Sequence, residues 1–308
     1  MGPLPGRALR WRLLSRFPLT AGFALTLAIL AVSWGAILVR LCQAPSLVIA
    51  FYRLGLATVI LIPFALATGG RRSILPAGPS LALVAASGFL LAVHFGTWIT
   101  SLSYTTVASS VVLVSTQPLF SAFFSGFFLG EKAPPRLYAG VALALAGTAV
   151  IAGGDLALSP ARLKGDFLAL VGAAAASGYF IIGRRLREEM RFFGYLVLVY
   201  GFSALFLGAA AAASGENILR VSRGDIFWLF LMAAGPTAVG HGCFNWAVRK
   251  LQVFYVNLAA FGEPILASFY AFLLLGETLG ASLWAGGALV FAGILLALPR
   301  QARSVPAG

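Results

Sequence analysis

Glu263 stands directly before Pro264 in the middle of an apolar run, 252–275. The proline lacks an N–H and leaves a carbonyl one turn earlier without its helical partner, so the helix bends or breaks there. A carboxylate at that point can hold a proton or a substrate amine. As a neutral acid it could instead donate to the freed carbonyl. The same pairing recurs 146 residues earlier as Gln117-Pro118, where the side chain can hydrogen-bond but cannot titrate. Any role that needs charge therefore belongs to Glu263 alone.

Two further groups could do chemistry. His94, Thr97, Trp98 and Ser101 recur at i, i+3, i+4, i+7, which puts them on one face of a helix. Thr237, His241 and Asn245 recur at i, i+4, i+8 and do the same on another. The chain has only two histidines, one in each stripe. Two such stripes read as facing walls of a cavity. A lone histidine would more simply bond a neighbouring carbonyl. Trp34, Tyr179 and Tyr200 are candidate aromatic walls, suited to planar or cationic solutes. Arg53, inside the run 45–67, keeps its charge and must find carbonyls, a carboxylate, water or a substrate anion.

The elements that position these residues follow from composition. Of 308 residues, 60% are hydrophobic and only 10% charged, against about 25% charged in soluble domains. A globule of this size could not be wetted by so few charges, so the chain is expected to lie in lipid. A spanning helix needs roughly 20 apolar residues, and ten such runs can be marked: 19–40, 45–67, 79–103, 105–129, 134–152, 163–184, 194–214, 225–248, 252–275 and 280–298. The first is of spanning length and ends in no small-residue cleavage site, unlike a signal peptide.

The net charge of +13 is scattered in short loops, not gathered on one face, which argues against a nucleic-acid partner. With the N-terminus inside, 16 Lys and Arg fall in cytoplasmic segments and five in outer ones. Lys and Arg favour the cytoplasmic side, so both termini are expected there, in the inner membrane. Cys42 and Cys243 fall at different depths and form no metal-type spacing.

A shift of 146 residues lays 118–151 on 264–297 with 12 identities in 34 positions, including Leu129-Gly130-Glu131 on Leu275-Gly276-Glu277. Two units of five spans each are expected: 19–152 and 163–298, with tails 1–18 and 299–308. Five is odd, so the second unit enters the membrane from the opposite side. Inverted repeats of this kind hold substrate near the midplane between the halves.

Together with Phe51-Tyr52-Arg53-Leu54 in the second run, this pattern resembles the drug/metabolite transporter superfamily, specifically its EamA-type ten-helix members. The resemblance covers roughly 20–298. It implies an all-α integral membrane bundle, as two inverted five-helix repeats around a central cavity lined by spans one, three, four, six, eight and nine. Family members tend to carry an Arg at the position of Arg53, which fits a shared packing or gating role, and Pro118 and Pro264 are expected with it as gating or structural residues. Substrates of relatives include amino acids and nucleotide sugars, often moved outward.

The expected function is a secondary carrier that moves a small organic solute, an amino acid or similar, by alternating access and preferably outward. The expected cavity residues are Trp34, His94, Trp98, Gln117, Tyr179, His241, Asn245 and Glu263, with a proton as candidate coupling ion. The sequence contains no nucleotide-binding loop, zinc motif or nucleophile elbow, and no enzyme, cofactor or metal is expected. The chain could act as monomer or homodimer. A passive channel would need a polar face along the full depth of several helices, and a membrane sensor would need a signalling domain.

Overall fold

The computed structural model describes residues 19–69, 80–105, 107–151, 160–275 and 280–298. Among them there is no strand. Seven helices are long and apolar enough to cross a membrane: α1 (Thr20–Leu41), α2 (Ser46–Gly69), α3 (Leu81–Ser101), α7 (Arg162–Glu189), α8 (Phe192–Ala213), α9 (Arg223–Ala247) and α10 (Val253–Leu274). Between α3 and α7 lie α4 (Val107–Val114), α5 (Gln117–Leu129) and α6 (Pro135–Ile151), and the described residues end with α11 (Ala281–Ala297). Both tails, and the Gly276-Glu277 of the second repeat motif, lie outside the described residues.

The surface is inverted relative to a soluble protein. Phe23, Phe127 and Trp284 are each at least 70% exposed, whereas Arg53 and Glu131 are 2% exposed. Such an apolar skin suits lipid and not water.

The core forms two clusters. The larger joins α1, α2, α3, α7, α8 and α9, and the smaller joins α5, α6, α10 and α11 around Leu137, Val141, Phe254 and Phe261. α3 lies on α7, α8 on α2 and α3, and α1 on α9.

The tightest crossing is α6 against α11. A Cβ on Gly140 would sit 2.5 Å from the Gly293 carbonyl oxygen, and one on Gly147 would sit 2.5 Å from that of Gly286. Only glycine lets two backbones approach so closely, and in lipid such packing drives helix association. The offset of 146 carries Gly140 to Gly286 and Gly147 to Gly293, so it exchanges the two contacts.

The expected single run 105–129 is broken. α4 ends at Val114, and α5 restarts at Gln117 with Pro118 in its first turn. Proline is favoured there, because its missing N–H has no helical partner to lose. Thr116 takes up part of the slack: its hydroxyl donates to the Leu113 carbonyl at 2.6 Å. The corresponding point in α10 is a tight turn, Ala259–Gly262, after which the helix resumes at Glu263. Both Pro positions thus start half-helices.

α9 deviates for a related reason. Pro236 lies in a widened stretch, Ala233–His241, where the hydrogen bonds skip five residues. Pro236 withdraws the N–H that would meet the Met232 carbonyl, and the Thr237 hydroxyl donates to that carbonyl instead, at 2.9 Å. Such widened turns often mark functional sites.

Candidate functional site: a polar cavity between the half-helices

A cavity of about 50 Å³ lies between the two clusters, its walls drawn from elements of both. α2 contributes Arg53, α3 His94 and Trp98, α5 Gln117, α9 His241, and α10 Asn257 and Glu263. Phe95, Phe180 and Phe244 close it with aromatic surface. Of the expected cavity residues, His94, Trp98, Gln117, His241 and Glu263 are brought together. Arg53, expected in a gating or packing role, joins them.

Arg53 is held on two sides. Its Nε donates to the Thr237 hydroxyl at 2.7 Å, and its guanidinium carbon lies 4.3 Å from the centre of the Phe95 ring. The proline in α9 thus positions an arginine on α2: Pro236 frees the Met232 carbonyl, Thr237 turns to meet it, and the Thr237 oxygen then receives Arg53. Arg53 Nη1 is buried with no hydrogen-bond partner. A cation so placed needs an anion or carbonyl to meet its remaining N–H groups.

Across the cavity, Glu263 makes no hydrogen bond or salt bridge with the described residues, although it sits in the same chamber as Arg53. The two opposite charges share one cavity without touching. Three other groups extend this pattern. His94 donates through Nδ1 to the Gly172 carbonyl at 2.9 Å, which leaves Nε2 as an acceptor. His241 lies 6.3 Å from His94, ring centre to ring centre, and its buried Nδ1 is unpartnered. The Trp98 indole N–H is also buried without an acceptor.

Three expected cavity residues sit elsewhere. Trp34 stacks on Tyr270 with ring centres 4.4 Å apart and faces a lateral groove beside Leu38 and Trp228. Tyr179 is fully buried and bonded to Asn245, whose Nδ2 also donates to the His241 carbonyl at 2.7 Å. Tyr179 and Asn245 brace α7 against α9 below the cavity. Asn245 lies one regular turn past His241, in Gly242–Ala247, and is taken up by Tyr179 instead of the cavity. On α3, Thr97 and Ser101 bond back to carbonyls of their own helix. Asn257 was missed because it gives no stripe; its Nδ2 donates to the Ser121 hydroxyl, a partner 136 residues away in the chain.

Glu131 and Arg184 form a second polar centre that sequence reading did not pair. Gly130 ends α5 at φ +66, a left-handed conformation open to glycine, and Glu131 then turns back under the bundle. Its Oε1 meets Arg184 Nη2 at 2.7 Å, and Arg184 Nη1 donates to the Leu251 carbonyl at 2.7 Å. Burial raises the Glu131 carboxyl above the ordinary range, and Arg184 pulls it back. Removing one partner of a buried pair costs about 3–5 kcal/mol. Glu131→Gln is therefore expected to lower the thermal midpoint of the purified protein markedly. A midpoint within a degree of the parent would remove the pair from any account of stability.

Comparison with known proteins gives this geometry a family. The profile of the EamA-like transporter family matches residues 19–153 and again 163–298. A protein named an uncharacterized transporter from Archaeoglobus fulgidus is 26% identical over 284 residues, covering 90% of this chain and 96% of its own. A probable terminal-alkyne amino-acid exporter from Streptantibioticus cattleyicolor is 27% identical over 254 residues, 79% of this chain and 81% of its own. A solved crystal structure shares the fold, with a TM-score of 0.77 at 19% identity over 90% of this chain and 96% of that one. The chain belongs to the EamA-like transporter family of the drug/metabolite transporter superfamily and is a multi-pass membrane protein.

Proposed function

We propose that this protein is a secondary carrier that exports an amino acid or similar zwitterion across the cytoplasmic membrane in exchange for a proton. One observation carries the reading: Arg53 and Glu263 face one cavity, opposite in charge and unpaired with each other. A zwitterion supplies the two missing partners at once. Its carboxylate meets Arg53 Nη1 and the Trp98 N–H, its ammonium meets Glu263, and its side chain rests among Phe95, Phe180 and Phe244. The printed name of the Streptantibioticus relative, an amino-acid exporter, agrees in substrate class and direction.

The ten-span, two-repeat organisation supports alternating access. Counted with the seven long helices, the three shorter apolar ones would make ten spans, and the reciprocal glycine contacts of α6 and α11 fit a two-fold relation between the halves. A chamber of about 50 Å³ holds only a few waters, so admitting a solute requires the half-helices to part. In this mechanism Glu263 carries a proton on the return step and releases it when the ammonium arrives. Coupling comes from that competition for one carboxylate.

The test is efflux from proteoliposomes loaded with labelled amino acids, with and without a proton gradient. Each amino acid is paired with its N-acetyl and decarboxylated analogues. Both analogues are expected to move far more slowly than the parent. Glu263→Gln is expected to lose acceleration by the gradient and to become insensitive to pH. An amine that moves as well as its amino acid would overturn the zwitterion, and a gradient response retained in Glu263→Gln would overturn the coupling role.

A further inference from the structure

Between α1 and α9, on the outside of the bundle, runs an apolar groove of about 700 Å³ whose walls include Phe23, Leu27 and Val239. It adjoins a second pocket, of about 520 Å³, and Phe192 and Trp246 line both. The second pocket is charged: among the described residues, Arg187, Arg191 and Arg249 line it with one acid, Glu189. Together they make one amphipathic cleft, cationic at one end and oily along its length.

Arg187 shows that the charged end is built. It is 3% exposed, its Nη1 donates to the Met190 carbonyl at 2.7 Å, and its guanidinium lies 5.0 Å from the Phe192 ring centre. Its Nε, buried, has no partner. An orphaned donor on a buried cation is costly, and a phosphate oxygen would satisfy it. Trp246 sits where the two pockets meet, with Lys250 Nζ 5.1 Å from its ring centre. Tryptophan favours the boundary between headgroups and acyl chains.

We propose that this cleft binds an anionic phospholipid of the cytoplasmic leaflet, its phosphate among Arg187, Arg191 and Arg249 and one acyl chain along the α1–α9 groove. Three arginines against one glutamate leave a net positive pocket, which selects a lipid of net negative charge over a zwitterionic one. Basic pockets between helices on this side of a membrane suit such headgroups. The chain's own tails do not complement the pocket, because 1–18 and 299–308 carry Arg and no acidic residue. A second copy docked in the same orientation would bring like charge. The leaflet assignment rests on the Lys and Arg distribution, but binding does not depend on the transport reading. The bound lipid would wedge two helices that also wall the central cavity, through Val32 and His241.

The experiment is native mass spectrometry of the full-length, delipidated protein with added phosphatidylglycerol or phosphatidylcholine, alongside thermal unfolding. Phosphatidylglycerol is expected to stay bound and raise the midpoint, and phosphatidylcholine to do neither. Arg249→Gln, at an exposed position, is expected to reduce retention about fivefold, the ratio matching about 1 kcal/mol per interfacial arginine. Val239→Trp fills the groove, leaves the arginines in place, and is expected to reduce retention as well. Equal retention of both lipids would mean unspecific lipid contact and overturn the proposal. So would stabilisation by inorganic phosphate alone that Val239→Trp leaves intact, retention unchanged in both variants, or a doubled mass with no lipid bound.

Discussion

Gly147→Val is expected to leave almost no folded protein after extraction in mild detergent. The new Cβ alone would lie 2.5 Å from the Gly286 carbonyl oxygen and 2.7 Å from the Val290 amide nitrogen. Both are backbone atoms in the middle of a helix, so neither can swing aside as a side chain could. α6 and α11 would have to separate, which opens the smaller core around Leu137, Val141 and Val290. Overpacking a core that can adjust costs typically 1–3 kcal/mol, and here about 3 kcal/mol is a floor. The control is the neighbouring Gly287→Ala, whose Cβ would meet only Ile265 side-chain atoms at 3.9–4.0 Å and which gains helix propensity. Equal thermal midpoints for the two variants would sink the close-crossing argument.

The second large effect concerns Arg53. Arg53→Leu is expected to lower transport of the amino acid about thirtyfold or more, since truncating one partner of a buried charged contact costs about 2–5 kcal/mol, at about 1.4 kcal/mol per factor of ten. It should also abolish preference for the amino acid over its decarboxylated amine. Thr237 keeps its bond to the Met232 carbonyl without Arg53, so the widened stretch of α9 should persist and the protein should fold. Arg53→Lys keeps the charge but loses the Nε–Thr237 bond, and should fall between the two. A large fall in thermal midpoint with discrimination intact would make Arg53 a packing residue only.

The bend at Pro264, the two histidines and Glu263 were legible because each leaves a local mark in the sequence: a proline beside a polar residue, or a polar residue inside an apolar run. What stayed hidden depends on departures from regular helix or on partners far along the chain. A face drawn along α9 carries Asn245 into the cavity, when one turn past His241 it in fact meets Tyr179, 66 residues earlier in the chain. Trp34 follows a break at Ser33, turns outward and stacks on Tyr270, more than two hundred residues away. Glu131 stood out as a repeated motif, but its partner Arg184 read as one of several cytoplasmic arginines. Nothing local distinguishes the one that turns inward.

The crossing of α6 and α11 has a consequence for assembly. On the two-repeat reading, each half presents the same glycine-bearing face, so a free first half could pair with another copy of itself as readily as with the second. Joining the halves in one chain decides the outcome by mass action. A short tether holds the second half at an effective concentration in the millimolar range, well above that of any stray copy. Cut the chain between 151 and 160 and correct pairing becomes dependent on dilution, with like halves competing for one another's glycines.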